Sequence, residues 1–319
     1  LAEFSKLKIL QASNFKEFRS FYLAKLQKSF IVPANTFDNV TGQFPIGFFI
    51  WQTEQKEKFI SSITDVYDSD GIGLPQKILF AYDNSVLINK WIDEYRPPKT
   101  IQNSIGTMIG VASDFQNQRL TRLEKPYMKV PAANHNWQID QTNLIPSATY
   151  LAVRWCLNTS WLNDRDQFLY PNDGWKTDTQ FQMDCLIFTL FHGQNHISSS
   201  HGINHWIPFT EDQLGLTKGF ESHFMSDFLT SRLADMSATA KAVYEAGLTL
   251  WKYYFTKHNV DINASFYDIR KYFQGETNGR MNHTSTDEAY VALITDLREK
   301  MNQLAKSIEP KVYEYGFLK

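Results

Sequence analysis

The chain has 319 residues, 43% of them hydrophobic, which leaves room for two domains with packed cores. Lysine and arginine number 32 against 34 acids, so the net charge of −2 excludes a global basic field, and any nucleic-acid contact must rest on local cations. The 24 Phe, 15 Tyr and 8 Trp argue against an extended disordered region.

In chain order, residues 14 to 28 carry Phe15, Phe18, Tyr22 and Leu26 at helical spacing behind Asn14, so an amphipathic helix capped by Asn14 is expected. Strands follow at about 29–34 and 46–53, joined by a polar, Gly-bearing loop that ends in Phe44-Pro45. Pro45 cannot donate a ladder hydrogen bond and marks the start of the second strand. It also biases Phe44 to an extended backbone, which holds the ring at the sheet's edge. Phe59 to Tyr67 and Gln76 to Tyr82 flank an Asp-Ser-Asp-Gly turn and predict a hairpin. Ser85 to Tyr95 predicts a helix stopped by Pro97-Pro98, the best linker candidate. From Ile101 to Val130 the pattern is β, interrupted by Gly106 and Gly110. Beyond Thr142 it is mostly helical: Ile145 to Leu157, Asp178 to Phe191, Phe220 to Leu233, Ala234 to His258 and Asp287 to Glu309. Ser285-Thr-Asp-Glu288 has the form of a capping box for the last of these.

The order helix, strand, loop ending in Phe44-Pro45 and apolar strand resembles the last part of the catalytic domain of adenine-specific DNA methyltransferases, of the amino-methyltransferase class whose target recognition region is C-terminal. The segments FPIGFFIW and NDRDQFLYPNDGW resemble large restriction-modification methylases, and on that comparison the likeness covers nearly the whole chain. The resemblance implies an α+β chain: the C-terminal remnant of a Rossmann-like methyltransferase sheet, a helix plus a strand pair, followed by a mixed, largely helical recognition region. It divides the chain into residues 1–58 as the end of the catalytic domain, 59–98 as a hairpin and helix connector, and 99–319 as the target recognition region, β-rich then helical. It also implies that Phe44, with Pro45 beside it, packs against an adenine flipped out of the duplex.

The family's Gly-rich cofactor turn and its Asn/Asp-Pro-Pro-aromatic tetrapeptide do not occur; Pro97-Pro98 lies between Arg96 and Lys99. The chain starts at Leu1, and its first fifty-odd residues are expected to supply only two strands, too few for a parallel-sheet catalytic domain. The expectation is therefore a C-terminal piece, inactive alone, whose N-terminal catalytic half binds S-adenosylmethionine and whose partner is double-stranded DNA.

Arg119, Arg122, Lys125 and Lys129 recur through an apolar background with Tyr127, compatible either with a strand along a phosphate backbone or with a solvated strand face. In Asn158 to Trp175, Arg165 and the clustered Asn and Asp residues suit a tight hydrogen-bonded loop; alternatively Arg165 meets a guanine edge or a phosphate and the Asn residues meet adenine. Gly275 to His283 is a loop carrying Arg280 and lacks the ending of a P-loop. His192, His196, His201 and His205 have a spacing of four, but Gly193 stands where the zincin motif needs Glu, so no metal site is assigned. Cys156 and Cys185 lie in apolar helical patterns and are expected as buried thiols in a reducing cytoplasm. Apolar runs fall short of the roughly 18 residues of a membrane span, and no signal peptide is read, so no membrane partner is expected. The alternative function is a stand-alone DNA-binding or subunit-assembly module without catalysis. A histidine-dependent metallohydrolase is a weaker third reading.

Overall fold

The computed structural model describes residues 1–98, 101–110, 112–129 and 135–319; Lys99, Val111 and Val130 fall outside them. The protein is α+β, and it begins with a mixed five-stranded sheet. β1 (Ala2–Lys6) leads through two short helices, α1 (Lys8–Gln11) and α2 (Lys16–Phe21), into β2 (Lys25–Pro33) and β3 (Pro45–Gln52). β4 (Ser61–Tyr67) and β5 (Gly73–Phe80) complete it in the order β1-β3-β2-β4-β5. β3 runs antiparallel to both β1 and β2, so β1 and β2 are parallel to each other, and β4 is parallel to β2. A strand, helices and a parallel strand form a crossover unit, here with an antiparallel strand lying between the two parallel ones.

Alternation along these strands sorts their two faces. Ile31, Phe49, Trp51, Val66 and Leu79 are buried on one face, together with Leu7 and Leu10 from the α1 segment. The other face carries Phe4, Phe48, Phe30 and Tyr67 in a row of ring contacts, with centroids 4.7, 5.3 and 6.0 Å apart. Phe4 is 56% exposed, and Ile50, Ile63 and Ile78 extend the same apolar surface into solvent.

α3 (Ile88–Asp93) leads into the second body. Its small sheet, in the order β7-β6-β8, contains β6 (Gly106–Gly110), β7 (Arg122–Glu124) and β8 (His135–Ile139). Helices follow: α4 (Leu144–Trp155), α5 (Thr179–Phe191), α6 (Glu211–Leu214), α7 (Phe224–Thr230), α8 (Ala238–Phe255) and α9 (Phe266–Gln274). A two-residue hairpin, β9 (Glu276–Thr277) and β10 (Arg280–Met281), then precedes α10 (Glu288–Glu314). α5 is the hub. Every residue from Met183 to Phe191 is buried, and α4, α8 and α10 pack around it. A helix apolar on all sides is stable only when it is enclosed in this way.

Several expectations need correction. The helix expected over 14–28 stops at Phe21, because Lys25 and Leu26 pair with Gln52 and Trp51 in the sheet. Asn14 is no cap; it lies in a 3-10 turn, Ser13–Phe15. The first fifty-odd residues hold three strands, not two, since β1 adds an edge. Residues 115–120 are a 3-10 helix rather than β, and Gly106 and Gly110 are the ends of β6 rather than interruptions. Asp287, not Ser285, caps α10 by accepting from the Tyr290 N–H at 2.9 Å, while the Ser285 hydroxyl donates to the Phe273 carbonyl. The loop at 275–283 contains the β9–β10 hairpin, whose turn residues Asn278 and Gly279 both have positive φ.

The expected strand pair, the hairpin expected over Phe59–Tyr67 and Gln76–Tyr82, and the main helices are present with shifted ends: β2 starts four residues earlier, β5 three residues earlier, and α10 runs on to Glu314. That hairpin, expected within a connector, is hydrogen-bonded to β2 and so belongs to the first sheet. Both cysteines are free and buried. Among the described residues, no helix is long and apolar enough to cross a membrane.

Candidate nucleic-acid interface

The loop from Ala34 to Phe44 leaves β2 and returns at β3, and its ends are tied by the Ala34 N–H donating to the Phe44 carbonyl at 2.9 Å. Gly42 has φ +133, and a Cβ there would meet the Phe44 ring at 2.7 Å. The ring can fold against the loop only because that side chain is missing. The Lys6 ammonium, at the end of β1, sits 4.5 Å from the Phe44 centroid, a cation–π contact that holds one side of the half-buried ring.

Gln43, the residue before Phe44, faces the second body across a recess of about 200 Å³. The opposite wall is the 3-10 helix Phe115–Leu120, with Gln116 and Arg119, and the start of the loop 158–175, with Thr159, Ser160, Asn163 and Asp164. This wall is fixed from behind. Asp114 caps the 3-10 helix by accepting from the Asn117 N–H at 3.1 Å, and the Phe115 N–H donates to the Asp166 carbonyl at 3.2 Å. Phe115 stacks on Phe168 with centroids 4.5 Å apart.

The segment 158–175 joins the two bodies. Trp161 and Leu162 pack on the core of the first sheet. The Asp166 carboxylate accepts from Lys77 Nζ of β5 at 2.6 Å and from Gln11 Nε2 at 3.3 Å. Burial raises its pKa, and Lys77 opposes that rise. Asp166 therefore joins the two bodies.

The cations selected from sequence divide into groups. The exposed Arg119 side chain has no hydrogen bond or ion pair among the described residues and borders the recess. Arg165 joins the same region: its Nη1 donates to Gln116 Oε1 at 2.8 Å, and its Nε lies 3.0 Å from Asp164. Burial raises the pKa of Asp164, and Arg165 works against that rise. Arg122 is committed to Glu124 at 2.6 Å, and His196 Nδ1 lies 3.3 Å from the same carboxylate. Burial acts to raise the Glu124 pKa, but His196 and Arg122 outweigh it and hold the group low. Lys125 and Lys129 follow β7, where Tyr127 is anchored by donating its hydroxyl to the Gln102 carbonyl. The four cations of 119–129 thus leave a 3-10 helix, a short strand and a turn, not one strand face as expected. Arg280 stands apart on the β9–β10 hairpin, beside an open recess of about 690 Å³.

The four histidines do not gather at one site, and His201 ends a 3-10 turn, Ser199–His201. His192 stacks on Phe188 and tilts against Trp155, both with centroids 5.0 Å away. His196 meets Glu124, and the His205 ring lies 2.7 Å from the Ser222 hydroxyl. Among the described residues, no group of three or more His, Cys, Asp or Glu side chains could hold a metal ion.

Sequence reasoning missed Gln43, Gln116 and Thr159, which are ordinary exposed polar residues until the fold brings them together. The only local signal was Gln43's place beside Phe44. No family model, curated protein or solved structure matches this chain.

Proposed function

We propose that the chain is the C-terminal portion of an adenine-specific DNA methyltransferase of a restriction-modification system. It binds duplex DNA and positions a flipped adenine for methyl transfer from S-adenosylmethionine. The observation that carries this reading is the open aromatic face of the first sheet, because large exposed apolar surfaces mark absent partners. The free edge of β1 and the crossover from β1 to β2 suit a sheet that continues into a catalytic half. That half is the proposed protein partner.

The cofactor belongs to it as well. The turn Lys6-Leu7-Lys8 after β1 has no glycine to let a backbone approach a nucleoside, so these residues do not fit S-adenosylmethionine. This chain's contribution is to bind and orient. Phe44, steadied by Lys6 and Gly42, offers a ring to the extruded adenine and recovers part of the few kcal/mol lost on unstacking. Arg119, Lys125, Lys129 and Arg280 supply phosphate contacts, while Arg122 and Arg165 act from within their carboxylate pairs. The assignment to a cytoplasmic enzyme is part of the same proposal.

One observation favours the second reading, a stand-alone DNA-binding or assembly module: the first sheet buries its other face in a core of its own. Duplex binding by the isolated chain tests the DNA claim shared by both. With about four phosphate contacts, affinity should fall about 100-fold between about 50 mM and about 200 mM salt, with no methyl transfer. Affinity independent of salt would remove DNA as the partner, and transfer at enzyme-like rates would end the divided-enzyme reading.

A further inference from the structure

The recess between the Phe44 loop and the 3-10 helix has a chemistry that the cation list alone does not convey. Three of the groups at its rim are hydrogen-bond donors with nothing to donate to among the described residues: the Arg119 guanidinium, the Gln43 amide, and Gln116 Nε2, whose oxygen is taken by Arg165. The Asn163 side chain is satisfied internally, since its Oδ1 accepts from the Ser160 N–H and its Nδ2 donates to the Asn158 carbonyl. Asp164, the one carboxylate among the lining residues, lies against Arg165 at 3.0 Å, which offsets its charge. A guanidinium and two amide donors lining one recess, beside an acid paired with Arg165, suit a compact oxyanion. The Asp114 cap and the Phe115–Phe168 stack fix the 3-10 helix that carries Arg119 and Gln116 before any ligand arrives.

Gln43 is covalently next to Phe44. Lys6, whose ammonium lies over the Phe44 ring, also acts electrostatically on Asp164 of the recess wall, so the recess opens beside the ring, within reach of the backbone of a nucleotide stacked there. We propose that this recess seats the DNA phosphate that joins the flipped nucleotide to its neighbour, with Arg119, Gln116 and Gln43 as the donors. The proposal rests on the base-flipping reading of Phe44 and names where the backbone beside that base is held.

The test uses the full chain and a duplex containing one mismatched, easily extruded adenine, followed by fluorescence anisotropy over a range of salt. Arg119→Ala should weaken binding about 10-fold and lower the salt slope by about one, uniformly across flanking sequences. Gln116→Ala should weaken it less, without changing the slope. Replacing the single linkage beside the adenine by a neutral methylphosphonate should reproduce the Arg119→Ala loss in the native chain. In the Arg119→Ala chain it should add nothing, since both changes remove one contact. Fully additive losses would overturn the seat. If Arg119→Ala has no effect while Lys125→Ala weakens binding, DNA binding stands and the seat falls. No binding by the native chain would remove the functional reading and the seat together.

Discussion

Phe44 concentrates the functional argument in one ring, and its setting indicates what substitution should do. The side chain is half-buried, gripped by Lys6 and by the missing Cβ of Gly42, so removing it perturbs the loop's surface rather than either core. In the complete enzyme, Phe44→Ala should slow methylation of an intact duplex by about 10- to 100-fold, corresponding to the roughly 1–3 kcal/mol of a lost base–aromatic stack. Cofactor affinity should be nearly unchanged. Turnover unaltered with an unmodified duplex would take Phe44 out of base flipping. His192 makes a different residue-scale prediction. Burial between Phe188 and Trp155 lowers its pKa from 6.5 to about 3, with Arg270 adding to the effect. As pH falls below 6.5, the unfolded chain takes up a proton that the folded chain refuses, so the stabilisation present above that pH is lost between about 6.5 and about 3. Between pH 7.5 and pH 5 that loss is about 2 kcal/mol. His192→Phe should be less stable at pH 7.5, because the Gln194 N–H loses its acceptor, and its deficit should shrink by about that amount at pH 5. Parallel denaturation curves at the two pH values would refute the assignment.

At the scale of elements, close packing decides more than propensity does. In α8, a Cβ at Gly247 would meet the Phe191 ring of α5 at 2.2 Å. Gly247→Ala gains about 0.5–1 kcal/mol of helix propensity, but overpacking costs about 1–3 kcal/mol. The variant should therefore be net destabilised, with a lowered thermal midpoint; a raised midpoint would mean that the two helices can separate freely. Long periodic elements were legible: β2, β3, the β4–β5 hairpin, α4, α5, α8 and α10 all follow from their apolar spacing and turn residues. β1 was not, since Ala2-Glu-Phe-Ser-Lys6 has one large apolar residue and is a strand only because β3 offers it an edge. The expected helix over 14–28 failed for the complementary reason. Its last residues gain more from pairing with Gln52 and Trp51 than from extending a six-residue helix that is marginal by itself.

For the whole molecule, the instructive feature is the contrast between two surfaces of one sheet. One face is buried in a core and joined through Trp161, Leu162 and Asp166 to the helical body. The other presents Phe4, Phe48, Phe30, Ile63 and Ile78 outward. The site was only partly legible because it forms between residues far apart in the chain. Phe44 and Arg119 stood out in the sequence, whereas Gln43 and Gln116 acquire significance only when the 158–175 segment docks the two bodies. The acids of that segment suited a tight hydrogen-bonded loop in the sequence, and only the fold shows that Asp166 spends its carboxylate joining the two bodies through Lys77 and Gln11.

The most direct test of the central claim, that this sheet is the end of a methyltransferase catalytic domain, is the reading frame upstream of Leu1. The account predicts an in-frame Gly-rich strand-turn-helix and an Asn/Asp-Pro-Pro-aromatic tetrapeptide there. A stop codon in frame immediately before Leu1 would contradict it, leaving a binding or assembly module with no catalysis of its own.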